Sequence, residues 1–214
     1  IEGTNVTKSS ETFLFSSKII IKPLNTEWVS RGAYKLLHAL NIFNIKVENQ
    51  ICMDIGASTG GFSQVLLNKK AKKIYSIDVG TNQLHEKLKK EKKIINLEKI
   101  NARYIDESII SEKINIIVCD VSFISLKKVI KPCLPFINKK TGIIVTLIKP
   151  QFESKKNEIR RGGVIKDSLI HQRICKEIKE WFFNECKMEI IGITESPLKG
   201  PKGNKEFLIA TKFN

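Results

Sequence analysis

The sequence predicts an α/β doubly wound sheet, mostly parallel with an antiparallel last strand, and three observations carry that expectation. Short apolar runs of strand length alternate with runs of helical spacing through most of the chain. The first such run ends at Asp54 and breaks into a loop with three glycines, after which a helical pattern starts. The last two runs, Met188–Thr194 and Glu206–Phe213, are joined by a turn rich in glycine and proline instead of a helix.

Taken in order, residues 1–24 differ in character from the rest. Val6–Ser10 and Ser17–Lys22 predict two short strands closed by Pro23, a small N-terminal hairpin. Two strands are not stable alone, so this piece should dock on the main domain or be the tail of something larger. The chain opens on Ile1, which agrees with a fragment or a processed form. From Trp28 to Leu40, Ser30 is a suitable N-cap and Leu36, Leu37 and Leu40 have helical spacing. Lys35 falls within this helix, and His38 reads as a surface or packing residue. After the glycine loop, Phe62, Val65 and Leu66 form the buried stripe of the next helix.

Lys73–Val79 predicts the second strand, ending in Asp78-Val79-Gly80. An acid at that place suits hydrogen bonds to ribose hydroxyls. Leu84–Lys93 predicts a lysine-heavy helix with a solvated face. Ile94–Leu97 is the third strand, followed by Asn101-Ala102-Arg103. Asn115–Val121 is the fourth, ending in Cys119-Asp120-Val121-Ser122-Phe123, and the helix from about Leu126 is bent or ended by Pro132 and Pro135. Gly142–Ile148 is the fifth, ending in Lys149-Pro150-Gln151-Phe152-Glu153. Residues Ser154–Lys166 form a basic loop with Arg160-Arg161-Gly162-Gly163. Asp167 caps a long helix to Cys186, with Ile170, Ile174, Ile178 and Phe182 on one stripe.

A chain of 214 residues is one ordinary domain, long enough for a sizeable core. Lysine and arginine outnumber the acids 37 to 22, and a net charge of +15 suggests a polyanionic partner, although a lysine-rich proteome gives the same excess. Cys52, Cys119, Cys133, Cys175 and Cys186 are odd in number with no C-x-x-C spacing, as for buried thiols in a reducing cytoplasm. His38, His85 and His171 are widely separated, so no metal site is expected. The longest apolar stretches, such as Ile143–Ile148, are too short to span a bilayer. Oligomeric state is not legible.

The glycine loop excludes two common nucleotide motifs. Gly56, Gly60 and Gly61 give G-x-x-x-G-G, neither the G-x-G-x-x-G of dinucleotide folds nor a P-loop. Asp-x-Gly-x-x-x-Gly-Gly-Phe resembles the first motif of Rossmann-like methyltransferases; the plain alternative is an ordinary βα turn. That resemblance implies S-adenosylmethionine held over Asp54, Gly56, Ala57, Ser58, Gly60, Gly61 and Phe62. It further implies Asp78 and Val79 near the ribose and Asn101, Ala102 and Arg103 near the adenine, with Asp120 and Phe123 completing the cofactor wall. Arg103 reads equally as a salt-bridging surface residue, and Phe123 equally as core.

A longer pattern is more specific. Ser30–Leu36, Asp54–Phe62, Asp120–Ser125, Ile148–Glu153 and Gly200–Phe207, in this order, resemble the TlyA branch of the FtsJ-like ribosomal RNA methyltransferases. The likeness runs from about Trp28 to the end. It implies a Lys-Asp-Lys-Glu tetrad at Lys35, Asp120, Lys149 and Glu206, and methyl transfer to a ribose 2′-hydroxyl, of a cytidine, in ribosomal RNA or whole subunits. That family carries an S4-like module, so residues 1–24 are expected to be its remnant and 25–214 the methyltransferase domain. The activated methyl needs no metal; the enzyme aligns the reacting atoms and takes or shares the hydroxyl proton. Lys149 is the candidate base. A second ammonium lowers a lysine's proton affinity and neighbouring carboxylates raise it, so the sequence leaves open which lysine takes the proton. Arg31, Arg160, Arg161, Lys199 and Lys202 are candidate phosphate contacts.

Three rival classes compete. Base-amine methyltransferases place two prolines after the acid, where this chain has Asp120-Val121-Ser122-Phe123, and have no use for the two lysines. Some similar proteins are called hemolysins, which would mean membrane lysis, but the alternating β/α pattern is not that of a membrane barrel. An RNA-binding protein without catalysis would have no need of the tetrad.

Overall fold

A computed structural model describes residues 12–18, 20, 27–155, 158–159 and 162–213. Seven strands form one sheet: β1 (Ile51–Ile55), β2 (Lys73–Ile77), β3 (Ile94–Leu97), β4 (Ile116–Cys119), β5 (Ile143–Ile148), β6 (Glu189–Glu195) and β7 (Phe207–Lys212). Their spatial order is β3-β2-β1-β4-β5-β7-β6. The first five run parallel, and β7 lies antiparallel between β5 and β6. The doubly wound sheet with an antiparallel last strand is therefore as expected.

Successive strand residues point to opposite faces, so each parallel strand reads as a nearly continuous apolar run. One face (Cys52, Ile74, Ile116, Val118, Val145) packs on α1 (Gly32–Ile42) and α2 (Gly61–Asn68) through Leu36, Leu40, Val65 and Leu66. The other face (Met53, Ile55, Ile77, Ile117, Cys119) packs on α4 (Leu126–Cys133) and α6 (Ser168–Asn184) through Ile130, Ile174, Ile178 and Phe182. Burying each such side chain contributes roughly 1.5–3 kcal/mol. All five cysteines are free and buried inside these layers. Burial pushes the Cys52 thiol up to about 12, which makes it a packing group and not a nucleophile.

Register decides where the chemistry goes. Ile55 pairs with Ile77 on one side and Cys119 on the other, so the residues following β1, β2 and β4 emerge side by side. Ile148 pairs with Phe207, so Lys149 leaving β5 meets Glu206 entering β7. The strand order reverses between β1 and β4, and in open α/β sheets the crevice above that reversal binds ligands.

Three expectations need correction or restriction. Ser30 does not cap α1: Arg31 occupies the N-cap position with no side-chain cap bond, and the Ser30 carbonyl accepts the Ala33 N–H at 3.2 Å. The predicted helix Leu84–Lys93 shrinks to α3, Glu86–Lys89, capped by the His85 ring accepting from the Lys87 N–H. Glu98 explains the loss, because its carboxylate takes the Asn82, Gln83 and Leu84 N–H groups and fixes that stretch as a turn. The N-terminal hairpin falls mostly outside the described residues; Thr12–Lys18 carries a turn closed by the Ser17 N–H on the Leu14 carbonyl.

Candidate active site

The loop after β1 is shaped by two glycines. Gly56 has φ +79°, and a Cβ there would meet the Asp120 carbonyl oxygen at 2.7 Å, so no side chain fits between the ends of β1 and β4. Gly60 has φ +94° and caps α2 in the left-handed region. Its missing Cβ would point into Leu84 and Leu88, so it serves the packing of α3 beneath the loop. The turn is tied down by Gly56 and Ala57 N–H groups donating to the Ile77 carbonyl, at 2.9 and 3.1 Å.

Asp78 closes the same turn. Its Oδ2 accepts the Ser58 N–H and its Oδ1 the Gly80 N–H, both at 2.8 Å, which fixes the carboxylate at the end of β2 with a lone pair to spare on each oxygen. Val79 beside it is exposed. Asn101 caps a 3-10 turn (Ala102–Tyr104) by accepting the Arg103 N–H, Ala102 is buried, and the Arg103 guanidinium lies 5.3 Å from the Tyr104 ring centre. These groups stand at the strand ends but outside the wall of the main cleft.

Asp54 lies beneath the loop, fully buried. Its Oδ2 accepts the Ser63 hydroxyl at 2.6 Å, Ser63 and Ser76 hydroxyls sit 2.6 Å apart, and Oδ1 has no hydrogen-bond partner among the described residues. Burial raises its pKa to about 7 against the opposing Ser63 hydrogen bonds. An unfolded aspartate titrates at about 3.9, so the folded chain holds more protons between the two values, and stability falls as pH rises across that window. Asp54→Asn keeps the shape without the charge. Thermal melts between about pH 4 and 8 should show a shallower loss for Asp54→Asn than for the parent. Equal slopes would show that this carboxyl does not govern the dependence.

At the centre of the crevice the four separated residues meet. Lys35 Nζ donates to Glu206 Oε2 at 2.6 Å and lies 3.7 Å from Asp120 Oδ2. Lys149 Nζ is 2.5 Å from Asp120 Oδ1 and donates to the Ser122 hydroxyl at 2.9 Å. The Asp120 Oδ1 contact is an ion pair whose angles do not make a hydrogen bond. The result is a row, Glu206, Lys35, Asp120, Lys149, Ser122, with charges alternating along it. The Glu206 side chain is 0% exposed and that of Lys35 12%, so the pairing is desolvated and strong per contact.

One cleft of about 650 Å³ joins this row to the glycine loop. Gly56, Ala57, Ser58, Gly61 and Phe62 line it together with Lys35, Asp120, Ser122 and Lys149, and the exposed Arg31, Lys199 and Lys202 line its rim. That volume falls within the usual ligand-pocket range of roughly 300–1,000 Å³. The Lys199–Lys202 loop is anchored through Asn204, which accepts the Ile165 N–H and donates to the Gly163 carbonyl. Arg160 and Arg161 lie outside the described residues. Phe123 is not core: it is 91% exposed at φ +66°, its ring 5.1 Å from Phe152. Two roles escaped the sequence reading. Ser122 touches Lys149, and Glu153, which ends α5 (Pro150–Glu153), caps α4 by accepting the Ser125 hydroxyl and the Leu126 N–H at 2.7 Å each. A serine two residues past the strand-end acid was the available signal for the first; the second depends on a tertiary contact.

Comparison with known proteins follows the same lines. The family model described as FtsJ-like methyltransferase matches residues 28–213. Hemolysin A of Brachyspira hyodysenteriae is 39% identical over 97% of this chain and 86% of its own length. The 16S/23S rRNA (cytidine-2′-O)-methyltransferase TlyA of Mycobacterium tuberculosis is 40% identical over 85% of this chain and 67% of its own. A solved structure of a hemolysin-named protein from Lactococcus lactis superposes with a TM-score of 0.82 at 36% identity, over 86% of this chain and 88% of that one.

Proposed function

The chain belongs to the FtsJ-like methyltransferase family, and on that premise we propose that it methylates a ribose 2′-hydroxyl of ribosomal RNA, on a cytidine, using S-adenosylmethionine. The observation that carries this reading is the single cleft joining a bare glycine loop to the assembled Lys35, Asp120, Lys149 and Glu206. The loop and the pinned Asp78 fit the cofactor: Gly56, Ala57, Ser58 and Gly61 line the cleft, and Asp78 keeps acceptor capacity for ribose hydroxyls. Gly56, Ala57, Ser58, Gly61, Phe62 and Asp78 would hold it, with Asp54 and Gly60 supporting the loop from beneath and Val79, Asn101, Ala102, Arg103 and Phe123 around the edge. Bound there, S-adenosylmethionine would supply an electrophilic sulfonium methyl whose C–S electron pair can leave with the sulfur.

The chain's own work is to position the acceptor and receive its proton. Lys35 touches two carboxylates and Lys149 one, so we assign proton acceptance to Lys149 and the fixing of Asp120 and Glu206 to Lys35. Both acids hold positive charge at the acceptor oxygen as it gives up its proton. Arg31, Lys199 and Lys202 stand on the cleft rim as phosphate contacts, with Arg160 and Arg161 assigned the same task. The substrate we assign is ribosomal RNA within subunits, in the cytoplasm, and residues 1–24 we assign to an S4-like remnant. Among the described residues no helix is long and apolar enough to cross a membrane. Asp120-Val121-Ser122-Phe123, without the two prolines, argues against a base amine as acceptor.

Transfer of tritiated methyl from S-adenosylmethionine into ribosomal RNA of unmodified subunits tests the activity; no incorporation would refute it. Asp78→Ala tests the cofactor site. Losing a charged acceptor should weaken cofactor binding about tenfold or more by calorimetry, and unchanged affinity would show that the ribose lies elsewhere.

A further inference from the structure

We propose that Ser122 is a positioning residue for Lys149: its hydroxyl sets the direction in which the lysine nitrogen faces the acceptor oxygen. The inference rests on the methyl-transfer reading above and assigns a role to a residue outside the tetrad. Lys149 Nζ has two polar neighbours of different kinds. Asp120 Oδ1 at 2.5 Å supplies charge without hydrogen-bond angles, and Ser122 Oγ at 2.9 Å supplies a hydrogen bond. A Coulomb contact constrains distance more than direction, whereas a hydrogen bond weakens steeply with angle.

Direction matters because of the electron count at nitrogen. A neutral lysine amine carries two N–H bonds and one lone pair. With one N–H donated to Ser122, the negative Asp120 carboxylate disfavours the lone pair on its own side, so the lone pair takes the remaining tetrahedral position, on the side of the cleft that Ser122, Asp120 and Lys149 line together. The step then balances. The 2′-hydroxyl proton would pass to the Lys149 lone pair while the oxygen pair bonds the methyl carbon and the C–S pair leaves with the sulfur, and Lys149 becomes an ammonium that keeps the Ser122 hydrogen bond and the Asp120 ion pair. Ser122 suits this because it is neutral: it accepts from the amine and from the ammonium alike, so it orients the nitrogen in both protonation states.

The loop around Ser122 is built to hold it. Phe123, the next residue, sits at φ +66°, a left-handed conformation that a bulky residue adopts only where its surroundings hold it. Its ring meets Phe152, three residues beyond Lys149, which ties the end of β4 to the end of β5 beside the Ser122–Lys149 bond. Glu153 ties the same two segments again through Ser125 and Leu126.

The experiment compares parent, Ser122→Ala and Ser122→Thr in two measurements. In single-turnover transfer to ribosomal subunits, Ser122→Ala should lose about tenfold in rate with cofactor affinity retained, within the roughly hundredfold range that misplacing a reacting group costs. Ser122→Thr, which restores a hydroxyl, should recover most of that loss. In the second measurement, NMR titration of the ¹⁵N-labelled Lys149 ammonium without RNA, Ser122→Ala should move the midpoint to lower pH, because an acceptor for the charged form is gone, and Ser122→Thr should return it. The titration needs no substrate, so a chain inactive on ribosomal RNA overturns the methyl-transfer reading while the titration still decides the Ser122 contact. A Ser122→Ala midpoint equal to the parent's, or a rate loss that threonine does not recover, would overturn the proposal.

Discussion

Lys149→Ala should lower single-turnover methyl transfer by about a hundredfold or more, the usual scale for losing a general acid–base group, while the protein still folds and binds S-adenosylmethionine. The lysine stands past the end of β5, and its polar contacts among the described residues are Asp120 and Ser122. Although its side chain is buried it belongs to neither apolar core cluster, so truncation empties space beside the cleft without opening the core of the sheet. Asp120 keeps a cation, because Lys35 remains 3.7 Å from its other oxygen. Lys149→Arg should not rescue the rate: guanidinium does not give up its proton at working pH, and its planar fork has a different reach. Stopped-turnover assays with labelled methyl, alongside calorimetry on the same preparations, separate chemistry from binding. A variant with parental rate would remove Lys149 from the mechanism.

Lys35→Ala should be damaging in a second way. Glu206 is fully buried, its Oε2 pairs with Lys35 at 2.6 Å and its Oε1 has no hydrogen-bond partner among the described residues. Removing the lysine leaves an uncompensated interior carboxylate, which costs about 3–5 kcal/mol where measured in other buried pairs. Denaturant melts should show that loss. Lys35→Met combined with Glu206→Leu should recover much of the stability, since a well-packed apolar pair avoids the desolvation of both charges. Methyl transfer should stay low in the double variant, because the Lys35 charge beside Asp120 Oδ2 is gone even though Lys149 still pairs with Oδ1. Activity recovered together with stability would reduce the pair to a structural role.

The sequence carried most of this because the fold puts its chemistry where strands end, and strand ends are visible. Apolar runs closing on Asp54, Asp78, Asp120 and Lys149 placed those groups at one sheet edge. The antiparallel pairing of β5 with β7, which brings Glu206 to Lys149, follows once the closing turn is recognised. What stayed hidden depends on contacts between segments far apart in sequence. Helical spacing from Leu84 to Lys93 could not show that Glu98 would take the backbone donors of Asn82, Gln83 and Leu84. The glycine at 60 looked like room for a ligand, yet the space beside it belongs to Leu84 and Leu88. Ser30 looked like a cap, because local propensity cannot see that the backbone at Arg31 is already helical. Ser122 stood inside a recognised motif, two residues past the strand-end acid, and still drew no role, since that spacing does not say which lysine its hydroxyl meets.

The central claim, transfer of methyl to a ribose oxygen, is tested most directly by mapping the product. Ribosomal subunits lacking the modification are incubated with the chain and S-adenosylmethionine, and the RNA is cleaved with alkali. Hydrolysis needs a free 2′-hydroxyl, so a methylated ribose should leave one phosphodiester intact, seen as a single gap in the ladder that follows a cytidine. A full ladder with the label on a base would contradict the account.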